Sequence, residues 1–279
     1  MYLQLEEYHR PQGLEACLEL LSEPGSQLIA GGTFLNRRSQ PKIRSLVDIQ
    51  ALGLDAIDLL DGDHVVIGAN VRLEALMRSE LTVGHSALRE AAASEQHVAL
   101  RNSTLGGRLG RSVSDARIAT ALNALDATLE IAELGDDGVQ LQRVGLNDFY
   151  HGALRDPAHL IIAVRLPKDT QQSSYCSFGI SATADPLVDV AVSVSARGTR
   201  ICSGCHGLDA RGVLFCKGAS DLVDSWGSSP SNDWQAELAE TLRKDLPKYS
   251  NAYASGEYRR ELAITLAIRI FEAQFAQEG

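Results

Sequence analysis

Two glycine pairs carry the chemistry that this sequence offers. One lies in Ala30-Gly-Gly-Thr-Phe-Leu35, the other in Ser103-Thr-Leu-Gly-Gly107. Glycine directly after a strand lets the backbone turn tightly and approach an anion, and successive N–H groups there form a phosphate-holding concavity. Neither loop is the G-x-G-x-x-G dinucleotide fingerprint, and neither is a Walker A sequence. On spacing alone, each loop stands between a phosphate cradle and an ordinary tight turn.

The surrounding pattern supplies elements to position both loops. Leu14, Cys17, Leu18 and Leu21 fall at i, i+3, i+4 and i+7 and predict a helix that Pro24-Gly25 breaks. Gln27–Ala30 reads as a short strand running into the first glycines, and Ser45–Ile49 as another, closing an α/β unit at about residue 55. A turn and a buried strand follow over Asp61–Gly68, then helices over Arg72–Met77 and Ser86–Ala93. The second glycine pair precedes a helix with a small-residue face, Ile118–Leu125. Strands at Thr128–Ala132 and Gly138–Arg143 flank the turn Gly135-Asp-Asp-Gly138, and His159–Leu166 is a strand stopped by Pro167. Lys168–Ser174 reads as a polar linker to a C-terminal third, with strands at Leu187–Val194 and Arg200–Gly204. Helices are expected there at Ser220–Val223, Asp233–Leu242 and Glu257–Phe271, the last N-capped by Ser255.

Bulk properties exclude several function classes. The 279 residues, 44% apolar, are enough to bury a sizeable core, and length suggests two domains. A net charge of −10 without a Lys/Arg block argues against nucleic-acid binding. No apolar run reaches the length of a membrane span, and the start Met1–Tyr8 lacks the basic-then-apolar pattern of an export signal, so a cytoplasmic location is expected. Five cysteines in such a chain are expected to be reduced and mostly buried.

Taken in order, the motifs resemble the FAD-binding subunit family of xanthine dehydrogenase, carbon monoxide dehydrogenase and related molybdenum hydroxylases. That family carries A-G-G-T-x-L near its N-terminus, matched by Ala30–Leu35, and R-N-x-x-T-[IL]-G-G, matched here over Arg101–Gly107. The stretch I-G-A-x-x-x-L-x-x-L is present at Ile67–Leu76, A-L-x-A-L-D-A at Ala121–Ala127, and S-x-E-Y-R-R-x-L at Ser255–Leu262. Each motif is weak alone; the ordered set spans nearly the whole chain. The resemblance implies an α+β fold: an FAD-binding domain of the vanillyl-alcohol-oxidase (PCMH) type over residues 1–168, in subdomains of about 1–55 and 56–168. It also implies a C-terminal domain over 169–279 with a three-stranded antiparallel sheet and a helical bundle. By the same resemblance, main-chain N–H groups hold the FAD pyrophosphate at Leu28, Ile29, Ala30, Gly31, Gly32, Thr33, Phe34 and Leu35, and at Thr104, Leu105, Gly106, Gly107 and Arg108. The implied partners are a molybdopterin-binding large subunit and a [2Fe–2S] small subunit, with NAD, a quinone or another acceptor taking the electrons.

Several positions depart from the family pattern. Arg108 stands where Asn usually follows the glycines. The family's S-P-x-x-D is replaced, with Val113-Ser114 for Ser-Pro and Arg117 at the Asp position, and Asp115 two residues away. Phe34 replaces a polar residue, and no lysine lies near Cys176 and Ser177. Such departures around the second loop are shared by the divergent branch associated with selenate reductase-type proteins. Arg108, Arg111 and Arg117 stand between phosphate contact and pairing with carboxylates.

Other motifs have plainer readings. Cys202-Ser-Gly-Cys205-His206 matches the c-haem pattern C-x-x-C-H, but haem attachment requires export. A metal site on Cys202, Cys205, Cys216 and Cys176 lacks a second C-x-x-C pair, so buried thiols are expected. Glu6-Glu7, Asp61-Gly-Asp63 and Asp136-Asp137 read as solvated turns, His97 as a structural histidine and Tyr258–Arg260 as packing or partner contact. The expected function is FAD-dependent electron transfer between iron–sulfur clusters and an external acceptor, with no catalytic residue and no metal ligand in this chain. The alternatives are an assembly subunit that has lost the flavin and a stand-alone flavin reductase, for which the chain offers no acid or base.

Overall fold

The computed structural model describes residues 5–33, 43–60, 62–96, 101–110, 116–151, 159–181, 184–204, 212–227 and 230–278. The chain starts with strand β1 (Glu7–His9), helix α1 (Leu14–Ser22), β2 (Ser26–Ile29) and β3 (Ser45–Asp48). These strands form a parallel sheet in the order β1-β3-β2. Helix α1 buries Cys17 and Leu18 of its apolar stripe against Val47 and Ile49, and against Leu160 and Ile162 farther along the chain. The Tyr8 hydroxyl donates to the Asp48 carboxylate, tying β1 to the end of β3.

A second sheet carries five antiparallel strands in the order β4-β5-β8-β6-β7. They are β4 (Ile57–Leu60), β5 (His64–Gly68), β6 (Thr128–Gly135), β7 (Gly138–Gly145) and β8 (His159–Pro167). The turn Asp136-Asp137 joins β6 to β7 as expected, with Gly138 at φ +106°. Between β5 and β6 lie α2 (Leu73–Arg78), α3 (Ser86–Ala93), the short α4 (Leu105–Leu109) and α5 (Ala116–Ala124); α6 (Leu146–His151) follows β7. Strand β8 is apolar on both faces because both are covered: Leu160 and Ile162 meet the N-terminal unit and Ile161 the core under α3 and α5. A register shift against β6 between Ile161 and Ala163 turns Val164 and Leu166 to that same core. His85 is buried, and its Nε2 bonds the Pro167 carbonyl at 2.8 Å, joining the start of α3 to the end of β8. Burial lowers its pKa, so the ring is held neutral.

The third sheet, in the order β12-β11-β10-β9, is antiparallel. Its three long strands are β9 (Thr170–Phe178), β10 (Val188–Ser195) and β11 (Gly198–Gly204), and β12 (Leu214–Phe215) adds a two-residue edge. Helices α7 (Lys217–Trp226), α8 (Trp234–Asp245) and α9 (Gly256–Glu278) bundle on one face. Strict alternation along β10 explains the layering. Val188, Val190 and Val192 point into the helical bundle, while Asp189 and Ala191 point toward α3 and α5. At the start of α9, Ser255 accepts from the Tyr258 amide at 3.2 Å, the expected N-cap. Arg259 is buried, donates from Nε to the Leu187 carbonyl at 3.1 Å and lies over the Tyr249 ring at 5.5 Å, so this part of the late motif is packing.

The expected linker over Lys168–Ser174 is a correction. Only Lys168 and Asp169 turn; Thr170–Ser174 already pair with β10. The polar residues misled because they are used inside: Ser173 is buried and accepts from the Ala87 amide at 3.1 Å. Strands β1 and β4 are too short to show alternation in the sequence, and α7 and α9 extend beyond the expected Ser220–Val223 and Glu257–Phe271. Asp126, in the A-L-D-A motif, adopts φ 54° just after α5 and pairs with Arg197 at 2.6 Å and Arg200 at 3.3 Å, clamping α5 onto the β10–β11 hairpin.

Asp189 is fully buried and receives hydrogen bonds from Thr120 Oγ1 at 2.9 Å and the Tyr175 hydroxyl at 3.1 Å. Burial pushes its carboxyl up to about 6 from 3.8, against the pull of these donors. Because the folded pKa is raised, the group's contribution to stability is complete below about pH 4 and is lost as pH rises through about 6. Asp189→Asn removes the titration, so relative to the parent it should gain on the order of 3 kcal/mol between acid and neutral pH. Urea unfolding of both proteins across that range measures the difference, and parallel curves would contradict it.

Candidate functional site

Both glycine loops line one cavity of ≈ 510 Å³, within the range of small-molecule sites. The first loop supplies Leu28, Ile29, Ala30, Gly31, Gly32 and Thr33, and the second Thr104, Gly106, Gly107 and Arg108. Leu105 turns its side chain into the core instead, and Phe34 and Leu35 lie outside the described residues. Gln27, Ile49, Ala69, Ser103, Gly110 and His159–Ile161 complete the lining. Of these, Ser103 and Ala69 stood in quoted motifs, and Gln27, Ile49 and His159–Ile161 in expected strands. Nothing in their residue types marked them as part of a site.

The loops contribute different things. Gly32 adopts φ +65°, and among the described residues the N–H groups of Gly31, Gly32 and Thr33 donate to no protein acceptor. This loop offers donors to an anion. In the second loop the amides are already engaged: Leu105 donates to Val71 O, Gly106 to Ala69 O and Arg108 to Thr104 O at 2.8–3.0 Å, and Gly107 to Thr104 Oγ1 at 3.2 Å. Fewer amides of the second loop than of the first are therefore left without a protein acceptor among the described residues. The second loop's helical turn α4 is capped by Thr104, while its Leu105 and Gly106 amides tie it to the segment after β5, so the loop contributes shape.

That shape requires small residues. A Cβ on Gly106 would stand 2.8 Å from Ala69 Cβ, and one on Gly31 would stand 3.2 Å from Asn102 O. The Ile67-Gly-Ala69 motif has the same origin, since a Cβ on Gly68 would meet Leu54 O at 2.3 Å. An open cradle with unengaged amides on one rim and the side-chain-free Gly106 and Gly107 on the other fits the phosphates of a dinucleotide.

Two of the three arginines are accounted for. Arg108 and Arg117, both buried, reach Glu95 Oε2 at 2.9 and 3.3 Å, and Arg117 also donates to Ala184 O at 2.9 Å. Glu95, buried at the end of α3, was not singled out from sequence because an isolated glutamate looks like a solvated one. Arg111, Asp115 and His97 lie outside the described residues.

No haem or metal site is built from the described residues: no cluster of three His, Cys, Asp or Glu is close enough, while Cys205 and His206 lie outside them. Burial pushes Cys17 to about 11, Cys202 to about 12 and Cys216 well above its usual value. These thiols should resist alkylation at neutral pH until the protein unfolds, as mass spectrometry of iodoacetamide-treated protein would show. Rapid native labelling of Cys202 or Cys216 would contradict their placement. Among the described residues, no helix is long and apolar enough to cross a membrane.

Comparison with known proteins gives the chain's family. Residues 3–169 match the family model described as the FAD binding domain in molybdopterin dehydrogenase. No curated protein sequence matches the chain. Among solved structures, the chain superimposes on quinoline 2-oxidoreductase from Pseudomonas putida 86 with a TM-score of 0.79 at 23% identity, covering 96% of both chains. For carbon monoxide dehydrogenase from Oligotropha carboxidovorans the TM-score is 0.80 at 21% identity, covering 96% of this chain and 97% of that one. For the carbon monoxide dehydrogenase of Hydrogenophaga pseudoflava it is 0.81 at 21% identity, covering 99% of each. The structural likenesses show the shared fold, and the family match spans both glycine loops. This chain belongs to the family of FAD-binding domains of molybdopterin dehydrogenases, and its cofactor is FAD.

Proposed function

We propose that the chain is the electron-transfer subunit of a molybdenum hydroxylase complex, holding FAD between its two glycine loops. The observation that carries this reading is the cavity those loops line, with unengaged amides at Gly31, Gly32 and Thr33, in a chain of this family. In this reading Leu28–Leu35 and Thr104–Arg108 form the cofactor site, the first loop binding phosphate and the second closing the other wall. When bound, FAD supplies an acceptor for electrons from an iron–sulfur partner and a donor to NAD, a quinone or another acceptor. The protein's part is to orient the cofactor and shield it. The partners in this reading are a [2Fe–2S] small subunit and a molybdopterin-binding large subunit. The likeness in fold to a copper–molybdenum carbon monoxide dehydrogenase, and to another carbon monoxide dehydrogenase with a molybdenum cofactor, supports the latter.

We divide the chain at residues 168 and 169, where it leaves the five-stranded sheet for the third, with subdomains meeting near residue 55. The free Cys17, Cys176, Cys202 and Cys216 suit a reducing compartment, and we place the complex in the cytoplasm. The departures at Arg108 and Arg117 favour the branch associated with selenate reductase-type proteins over the purine-oxidising one. Affinity purification of the tagged chain from its native host tests the assignment. The expected result is co-purification of molybdopterin- and [2Fe–2S]-containing proteins, with reduction of the bound flavin on adding the complex's substrate. A chain that purifies alone from cells expressing those proteins would overturn it.

A further inference from the structure

A ring of polar contacts runs through the interior between the wall of the cavity and the third sheet. Arg108, in α4 and in the cavity wall, reaches Glu95 Oε2 at 2.9 Å just after α3. The same oxygen meets Arg117 Nη1 at 3.3 Å in the first turn of α5, and Arg117 Nη2 donates to Ala184 O ahead of β10. One turn further along α5, Thr120 donates to one oxygen of Asp189 on β10, whose other oxygen accepts from the Tyr175 hydroxyl on β9. The Tyr175 amide donates to Glu90 at 2.7 Å and brings the ring back to α3. Glu95, Arg108, Arg117 and Asp189 are all at most 4% exposed, so solvent screens their charges little.

The charge of Asp189 changes within the ordinary working range of pH. Thr120 and Arg117 of α5, Tyr175 of β9 and the Gly204 amide of β11 favour its ionised form, but burial outweighs them and puts the carboxyl at about 6. Cys202, on the same face of β11, is held protonated by its own burial. Glu90 is pushed up by burial and held down by the Tyr175 amide. The pyrophosphate of FAD stays fully ionised between pH 5 and pH 8, so the cofactor's own phosphates contribute no titration there.

We propose that Asp189 is a positioning residue for the cofactor, which takes up a proton from solvent and thereby strengthens FAD binding through Arg117, Glu95 and Arg108. The inference rests on the reading that FAD lies in the first cavity. Protonation replaces a buried negative charge by a neutral group, and the ring behind the cavity wall becomes more positive by one unit. An anionic cofactor is favoured by that change, and by reciprocity its binding draws the proton onto Asp189. The sign follows: FAD is held more tightly below about pH 6 and less tightly as pH rises through it.

The test is fluorescence titration of FAD into the full chain at steps from pH 5 to pH 8, for the parent and D189N. The parent's Kd should be about threefold to tenfold higher at pH 8 than at pH 5, as expected for one charge acting at an effective dielectric constant near 20. D189N carries no charge here at any pH, so it should keep close to the parent's pH 5 affinity throughout. Calorimetry near pH 6.5, in buffers of different ionisation enthalpy, should read uptake of a fraction of a proton per FAD by the parent and less by D189N. A flat profile in the parent, or the same profile in D189N as in the parent, would overturn the proposal. The second result would assign the pH dependence to another group, such as Glu90 or His159 in the cavity wall. If D189N does not fold, Y175F decides: losing a donor to the carboxylate should move the midpoint of the profile to higher pH, and an unmoved midpoint would overturn the proposal. A chain that takes up no FAD at any pH overturns the flavin reading together with this one, whereas FAD bound with a flat profile overturns this one alone.

Discussion

Gly106→Val should remove FAD from the protein while leaving it folded. The Gly106 amide donates to Ala69 O at 2.8 Å, and a Cβ here would stand 2.8 Å from Ala69 Cβ and 3.2 Å from Ala69 O. Both atoms belong to backbone or to the stub of a small side chain, so no flexible group can move aside. Relief requires α4 to shift away from the segment after β5, into the cavity. Overpacking of this kind costs about 1–3 kcal/mol in stability. Misplacement of the wall should weaken FAD by about tenfold to a hundredfold, since each 1.4 kcal/mol of binding is tenfold. Gly110→Ala is the matched control. Its Cβ would approach only Gly106 O, at 3.3 Å, and FAD binding should change little. Fluorescence titration of the stripped proteins with FAD checks both variants. Parent-like affinity in Gly106→Val would mean that the second loop does not form the cofactor's wall.

Glu95→Ala should be the most destabilising single change near the site. Arg108 and Arg117 are buried, with side chains 1% and 5% exposed, and each contacts Glu95 Oε2. The Arg101 Nε also donates to the Glu95 carbonyl at 2.9 Å, so this residue gathers three arginines at the end of α3. Glu95→Ala removes the carboxylate that both guanidinium groups share in the interior, and breaking a buried ion pair in this way costs about 3–5 kcal/mol. For a chain of this size that corresponds to a fall in Tm of roughly 10 °C. Glu95→Gln keeps an acceptor but not the charge, and its loss should be intermediate. Differential scanning fluorimetry checks the series, and a Tm within a degree or so of the parent in Glu95→Ala would contradict the account. The cluster also explains how arginine is accommodated at positions where relatives are expected to carry Asn and Asp: the buried positive charges are directed at a carboxylate within the protein.

The ordered motifs were legible because each marks a backbone constraint. Gly31, Gly68 and Gly106 sit where a Cβ would collide with main chain or with Ala69, and Asp126 holds a left-handed turn with its carboxylate on two arginines. Such constraints show in residue type. The β6–β7 hairpin and β8 were legible for a similar reason, since alternation, a polar turn and a stopping proline are local signals. What sequence reading missed depends on contacts between distant segments. Strand β9 looks like a linker until Ser173 and the Tyr175 amide meet Ala87 and Glu90 across more than eighty residues. Glu95 looks solvated until Arg108 and Arg117, 13 and 22 residues on, fold over it. The engagement of most of the second loop's amides was also hidden. Two of them are satisfied by Ala69 and Val71, and no spacing within Thr104–Arg108 announces those acceptors.

The most direct test of the central claim is the visible absorbance spectrum of the purified full chain after incubation with FAD and exhaustive dialysis. The account predicts a retained oxidised-flavin spectrum at close to one FAD per chain, lost in Gly106→Val and kept in Gly110→Ala. A colourless parent protein that takes up no FAD, alone or with its partner proteins present, would contradict it.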